Sequence, residues 1–235
     1  MPEAGSPVAS RPMSPGAPAL VADAAVERIQ LDEASWVDVV RGLVQGADEV
    51  HDTVVDGIRW SPSKVYRYDH WVDERRLGAG WRVGQPVPHA VLLEVHRWIQ
   101  SRYGVRFDAF GLARYRDAGD GQAFHRDRDM RWLDDTIIGL LTLGGKRPWL
   151  LRPRSARHDH EAWEGAHKGT THDLVPASGD LIVMGGATQA GWEHSVPYLR
   201  GRQVPDRVSV QWRWTSKTGR PVVGASFRAP RTYSR

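Results

Sequence analysis

His125-Arg126-Asp127 places an imidazole and a carboxylate two residues apart at the end of a β-like run. Side chains at i and i+2 of a strand share a face, so both can reach one metal ion. Taken alone the pair says little. With ten His and 28 acidic residues in the chain, about one such pair arises by chance. His194, in Trp192-Glu193-His194-Ser195-Val196-Pro197, is the candidate third ligand on a facing strand. On its own a histidine there reads equally as a hydrogen-bonded core residue. Two imidazoles and a carboxylate on one face leave three coordination positions open and suit non-haem Fe(II) oxygen chemistry, although zinc or nickel takes the same donors. Arg207 and Arg213 lie six residues apart, so a continuous strand presents both on one face. Exposed, they are ordinary surface arginines. Buried, they need anions, and a dicarboxylate cosubstrate beside the metal supplies them, because guanidinium binds carboxylate in a bidentate fork.

Elements that could position these groups follow from periodicity and punctuation. Residues 1–24 are rich in Pro, Ala, Ser and Gly and are expected to be disordered. Ile29 and Leu31 begin a short strand. Asp32 can cap a helix over 33–44, with Trp36, Val39, Val40 and Leu43 on one face. Residues 45–87 read as loop-rich. Val91, Leu92, Val95, Trp98 and Ile99 recur with helical period, in a helix that has Pro88 in its first turn and ends at Gly104. Then short β-like runs take over, at 107–115, 123–125, 136–143, 148–151, 172–175, 180–184, 192–196 and 207–214, separated by Gly- and Asp-rich turns. This predicts a mainly β protein with supporting helices, built as a sandwich or jelly-roll. Segment 152–171 is polar, carries His158, His160 and His167, and is expected to be a solvated insertion.

Composition narrows the chemistry further. The chain has no Cys, which excludes disulfides, iron–sulfur clusters and thiolate zinc sites. No apolar run is long enough to span a membrane, and the first twenty residues lack the apolar stretch of a secretory signal, so a cytoplasmic location is expected; a monomer is assumed, since the sequence gives no oligomeric state. Net charge is only +4, but the tail 216–235 holds Lys217, Arg220, Arg228, Arg231 and Arg235 with no acid. That tail suits either a solvated terminus or a nucleic-acid arm. Arg147, Arg152 and Arg154 are further candidate phosphate contacts.

The strings Leu112-Ala113-Arg114-Tyr115-Arg116-Asp117, His125-Arg126-Asp127-Arg128-Asp129, Gly179-Asp180-Leu181, Trp192-Glu193-His194-Ser195-Val196-Pro197 and Arg207 to Arg213, in that order, resemble the AlkB family of Fe(II)- and 2-oxoglutarate-dependent dioxygenases. The likeness runs from about residue 56 to 215. It implies a double-stranded β-helix (jelly-roll) core over about 105–215 within a domain of 25–215, and a nucleotide-recognition lid over about 56–87. It implies that His125, Asp127 and His194 hold Fe(II). Tyr115, Arg207 and Arg213 would bind 2-oxoglutarate, Arg207 at the distal carboxylate and Arg213 near the metal. Asp129, Trp60, Trp81 and Arg76 would contact substrate. The implied reaction consumes dioxygen and 2-oxoglutarate and demethylates N1-methyladenine and N3-methylcytosine in DNA, with RNA as a second substrate, releasing formaldehyde. Such a base must leave the duplex or come from a single strand. Two positions depart from the family pattern, which commonly has Asn where this chain has Ala113 and Ser209. Two other functions fit the same residues: the same fold acting on a small molecule or a protein side chain, and a nucleic-acid-binding module without catalysis.

Overall fold

Residues 16–67, 70–127, 130–154 and 170–221 are described by a computed structural model. In chain order the elements are β1 (Ala19–Leu20), β2 (Val26–Gln30), β3 (Ser35–Val40), β4 (Val44–Gln45), α1 (Ala47–Gly57), β5 (Ser61–Arg67), β6 (His70–Arg82) and α2 (Ala90–Tyr103). They continue with β7 (Ala109–Tyr115), β8 (Gln122–His125), β9 (Thr136–Gly144), β10 (Leu150–Pro153), β11 (His172–Asp173), β12 (Leu181–Gly186), α3 (Thr188–Gly191), β13 (Trp192–Val196) and β14 (Arg207–Thr215). A large sheet has the order β2-β3-β12-β9-β14-β7-β6-β5 and a smaller one the order β11-β10-β13-β8, with β1 and β4 forming a separate pair.

Two cores explain which strands read as alternating and which as continuously apolar. The first lies between the helices and one face of the large sheet. There Val50 and Val54 of α1 and Val91, Leu92, Val95 and Ile99 of α2 meet Phe110, Leu112, Leu141, Leu143, Val208, Val210 and Trp212. The second lies between the two sheets, where Ile138, Leu140, Ile182 and Met184 face Trp149, Leu151, Trp192 and Val196. Strand β9 is buried on both faces, so its sequence Ile-Ile-Gly-Leu-Leu is apolar throughout. Strand β14 alternates instead. Val208, Val210 and Trp212 enter the helix-side core, which turns Arg207, Ser209, Gln211 and Arg213 toward the space between the sheets. Two antiparallel sheets facing each other across one core, backed by helices, make the expected jelly-roll.

All eight strand runs expected after Gly104 form, with ends moved by a few residues. The helix α2 also forms. His89 caps it by accepting from the Val91 amide, so Pro88 precedes the cap rather than standing in the first turn. Gly104 closes it at φ 67°, a left-handed conformation that favours glycine.

The segment 33–44 is not a helix. Asp32 accepts from the amides of Ala34 and Ser35, as a helix cap would, but the turn it stabilises joins β2 to β3. Val37 and Val39 enter the inter-sheet core and Val40 the helix-side core, so a strand buried on both faces mimics a helical apolar stripe. Nor is 45–87 loop-rich. It holds α1 and a β5–β6 hairpin that joins the large sheet at β7. The ordered chain also begins before residue 25, since Ala19–Leu20 pairs with Val44–Gln45, and the large sheet recruits β2, β3, β5 and β6 from outside 105–215. Residues 1–15, 155–169 and 222–235, which include His158, His160, His167 and most of the basic tail, lie outside the described residues.

Gly185 pairs with Trp36 of β3, and a Cβ added to it would overlap the Trp36 indole, which itself stacks on Tyr103. Gly185→Ala should therefore destabilise the protein by about 1–3 kcal/mol through overpacking. A denaturant titration checks this, and an unchanged midpoint would show that the indole has room to move.

Candidate metal and cosubstrate site

The register of the small sheet assembles the ligands. In the β13–β8 pair His194 stands opposite His125, with ring centroids 4.2 Å apart. Asp127 follows two residues beyond the end of β8, and candidate ligand atoms of the three residues all lie within 4.8 Å of one another. His125 Nδ1 is 2.9 Å from the Ala123 carbonyl. A carbonyl can only accept, so Nδ1 carries the proton and Nε2 presents its lone pair, 3.7 Å from Oδ1 of Asp127. His194 stacks on Trp149 and is buried, and its Nδ1 has no hydrogen-bond partner.

The carboxylate is fixed from two directions. Its backbone N–H donates to Oε1 of Gln189 at 2.9 Å, and its Oδ2 accepts from Nε of Arg213 at 2.7 Å. Oδ1 is thereby left facing the imidazoles. Burial alone would raise the Asp127 carboxyl, but the Arg213 guanidinium outweighs it and holds the group well below the usual carboxylate range. Burial lowers His125, and it pushes His194 down to about 3 with help from His125. A carboxylate and two neutral imidazoles therefore converge as electron-pair donors, with a buried ring nitrogen unsatisfied. That donor set fits a divalent cation such as Fe(II).

Beyond the carboxylate, β14 carries a run of polar groups. Arg213 Nη2 donates to Gln211 Oε1 at 2.6 Å, and Gln211 Nε2 donates to Ser209 Oγ at 3.4 Å. Arg207, at the far end, is 1% exposed. Its Nη2 donates to Thr142 Oγ1 at 3.1 Å, while Nε and Nη1 are buried without partners. Burial lowers this guanidinium to about 10, against the opposing effect of Tyr115. Tyr115 pairs in register with Arg207, and its hydroxyl accepts from Nη1 of Arg76 at 3.3 Å. Arg76 also donates to Glu74 at 2.7 Å. Burial would lower Arg76, but Tyr115 and Glu74 together raise it, so it stays a cation. Ala113 faces Ser209 across the β7–β14 ladder and is buried in the inter-sheet core.

The structure thus brings together His125, Asp127, His194, Tyr115, Arg207, Arg213 and Arg76. It does not bring Trp60 or Trp81. Trp81 is 6% exposed, stacks on Phe110 in the helix-side core and donates to the Gln85 carbonyl, on the opposite face of the large sheet. Trp60 packs against the same core and donates to the Val55 carbonyl. Two arginines expected at phosphates are likewise committed elsewhere. Arg147 is buried and donates to the carbonyls of Tyr115, Asp117, Asp120 and Pro205, which pins the ends of three strands. Arg152 pairs with Glu193 and lies over the Phe124 ring. Asp129 lies outside the described residues. Sequence reasoning missed Gln211, Gln189, Thr142 and Trp149. The same-face rule that paired Arg207 with Arg213 also selects Gln211. The other three come from separate strands and turns and carry no local signal.

Residues 22–220 match the 2OG-Fe(II) oxygenase superfamily, and the chain belongs to it. Among curated proteins it is similar to the alpha-ketoglutarate-dependent dioxygenase alkB homolog 3 of Bos taurus, 28% identical over 163 residues, which are 64% of this chain and 56% of the relative. The human protein of that name is 26% identical over 182 residues, 72% of this chain and 62% of its own length. The Arabidopsis thaliana DNA oxidative demethylase ALKBH2 is 26% identical over 121 residues, 47% of this chain and 38% of that protein. This chain therefore spans less than two thirds of these relatives. These matches place its sequence kinship with AlkB homologues. Among solved structures it is similar to a Trichoplax adhaerens prolyl hydroxylase in complex with a hypoxia inducible factor peptide fragment, with TM-score 0.54 and 14% identity over 76% of this chain and 83% of that one. That likeness concerns the jelly-roll alone.

The depressed His194 makes a signed prediction. Its folded pKa lies below the unfolded 6.5, so the unfolded chain takes up the proton first as pH falls. The contribution is fully present above 6.5 and is lost progressively on acidification toward the folded value. His51 has the opposite sign, because its bond to Asp206 raises it. Comparing the wild type with His194→Asn isolates the one group. In metal-free protein the wild-type unfolding free energy should fall relative to the variant by about 1 kcal/mol per pH unit below pH 6. Denaturant titrations at pH 7.5, 6 and 5 measure it, and parallel pH dependences would mean that His194 is not buried neutral.

Proposed function

We propose that this protein is an Fe(II)- and 2-oxoglutarate-dependent dioxygenase that oxidatively demethylates alkylated bases of DNA, and of RNA as a second polymer, with release of formaldehyde. One observation carries the cosubstrate assignment. Arg207 is a fully buried cation with two unsatisfied guanidinium nitrogens, on the same strand face as the guanidinium that grips the carboxylate ligand. A buried, unpaired charge is strongly unfavourable, and a five-carbon diacid with one end at the metal brings a carboxylate to it.

Each residue then has a task. His125, Asp127 and His194 would hold the iron. When bound, iron with 2-oxoglutarate and dioxygen supplies the oxidant for an otherwise inert methyl C–H bond. Arg207 takes the distal carboxylate of the cosubstrate in a bidentate fork, and Thr142 keeps that guanidinium aimed. Tyr115 contributes its hydroxyl beside the same carboxylate, held in place by Arg76. Arg213 occupies Oδ2 of Asp127, which leaves Oδ1 as the oxygen that would reach the metal. Trp149 and the surrounding inter-sheet core exclude water from the back of His194.

The nucleic-acid substrate rests on the AlkB homologues among the relatives and on the DNA oxidative demethylase name of one of them. We assign Asp129 to the base edge, where a carboxylate favours the cationic lesion. A methyl group that blocks base pairing also lowers the cost of extrusion.

Formaldehyde release from oligonucleotides bearing 1-methyladenine, with Fe(II), 2-oxoglutarate and air, tests the proposal. Single- and double-stranded DNA and RNA are the four arms. We expect turnover on DNA and none with Asp127→Ala. Succinate formation without release from any methylated polymer would redirect the assignment to a small molecule or a protein side chain. Arg207→Leu should raise the KM for 2-oxoglutarate by about ten- to a hundredfold, from the loss of charged hydrogen bonds. An unchanged KM would remove Arg207 from the cosubstrate site.

A further inference from the structure

Asp127 lies beyond the last paired residue of β8, so no strand carbonyl receives its backbone N–H. The acceptor is a side chain, Oε1 of Gln189 at 2.9 Å, and both residues are buried. Gln189 is itself held. It sits in the four-residue turn α3, where its own carbonyl and that of Ala190 accept from Nη1 of Arg126 at 3.3 and 3.1 Å. Its Nε2 lies 3.7 Å from Sδ of Met184. The turn leads directly into β13, the strand that carries His194. The Gln189 carboxamide and the Arg126 guanidinium therefore tie the segment of the carboxylate ligand to the turn that launches the second imidazole ligand, and the carboxamide alone acts on the backbone of Asp127.

We infer that Gln189 is a positioning residue for the metal centre, setting the affinity of the His125–Asp127–His194 cluster by fixing the backbone of Asp127. The inference rests on the reading that this cluster holds a metal ion. Asp127 must keep Oδ1 on the metal side while Arg213 pulls on Oδ2. With its amide anchored, the residue resists that pull only through the bonds between Cα and the carboxylate, and the carboxylate stays where the imidazoles need it. Without the anchor, Arg126 still ties the segment to the turn and the Met130 N–H still donates to the Asp127 carbonyl, but the buried Asp127 amide is left unsatisfied, which disfavours the observed backbone position against the pull of Arg213. Partners of this kind around a metal centre typically govern 10–100-fold of its affinity.

Cobalt(II) is the probe, added to metal-free protein and followed by its visible absorption. Wild type, Gln189→Met, Gln189→Glu and Asp127→Asn are titrated in parallel. Gln189→Met keeps the length of the side chain but offers no oxygen, and should bind about tenfold more weakly or worse, with a shifted band. Gln189→Glu retains an acceptor at the same reach and should recover most of the affinity. Absence of Co(II) binding by the wild type would overturn the metal site itself. Wild-type affinity in Gln189→Met would overturn only the role given to Gln189, as would a Gln189→Glu variant no better than Gln189→Met. Thermal melting of the metal-free proteins separates a purely structural effect, since a lowered Tm with unchanged cobalt affinity also refutes the inference. Should Gln189→Met fail to fold, Gln189→Asn, whose shorter amide cannot reach, replaces it in the comparison with Gln189→Glu.

Discussion

The antiparallel register of β13 on β8 is the constraint on which the chemistry of this molecule depends. It sets His194 opposite His125, and a shift of one residue would turn one imidazole to the other face of the small sheet. The ladder is irregular just beyond this pair, between His194 and Val196. The register at the histidines is held instead by the neighbours of β13. Leu151 of β10 pairs with His194, and Trp149 stacks on its ring. The site is thus built on a small sheet whose position comes from packing against a larger one.

Charge is handled by the large sheet. Strand β14 runs through its middle, with β9 on one side and β7 on the other, so polar residues on its inner face are shielded from water. Arg213 is neutralised by the carboxylate ligand, whose low pKa it helps to enforce. Arg207 has no such counter-ion, and burial lowers it to about 10. Arg147, equally buried, gives both terminal nitrogens to four carbonyls and leaves only Nε without a partner, whereas Arg207 leaves Nε and Nη1. The contrast between these two arginines separates a group that locks strand ends together from one that waits for an anion. Burial alone does not make that distinction. The unsatisfied nitrogens do.

Motifs that act through strand alternation were legible from residue types. His125 and Asp127, like Arg207 and Arg213, share a face because their spacing is even, and the short β-like runs after Gly104 announced themselves through their turns. Alternation fails where both faces of a strand are buried. Trp36, Val39, Val40 and Leu43 fit a helical stripe, yet they belong to a strand that feeds two cores and to the turn after it. The aromatic residues misled for a similar reason. Trp60 and Trp81 looked like substrate clasps because indoles stack on bases, but the register of β6 on β7 turns Trp81 toward the helices, while Arg76 reaches Tyr115 near the cosubstrate site.

Chemistry that needs particular donors was therefore written in the chain itself. The two imidazoles, the carboxylate and the arginine pair each read ambiguously alone, and it is their order along the chain, matched to a family pattern, that joined them into one metal and diacid site. Which groups support them was decided by tertiary structure alone. Gln189 and Thr142 sit far along the chain from the residues they serve, at sequence separations of 62 and 65, and each meets its partner only when the sheets close. A hydrogen bond between distant segments leaves no trace in local spacing. The fold supplies the proximity, and burial makes the bond matter.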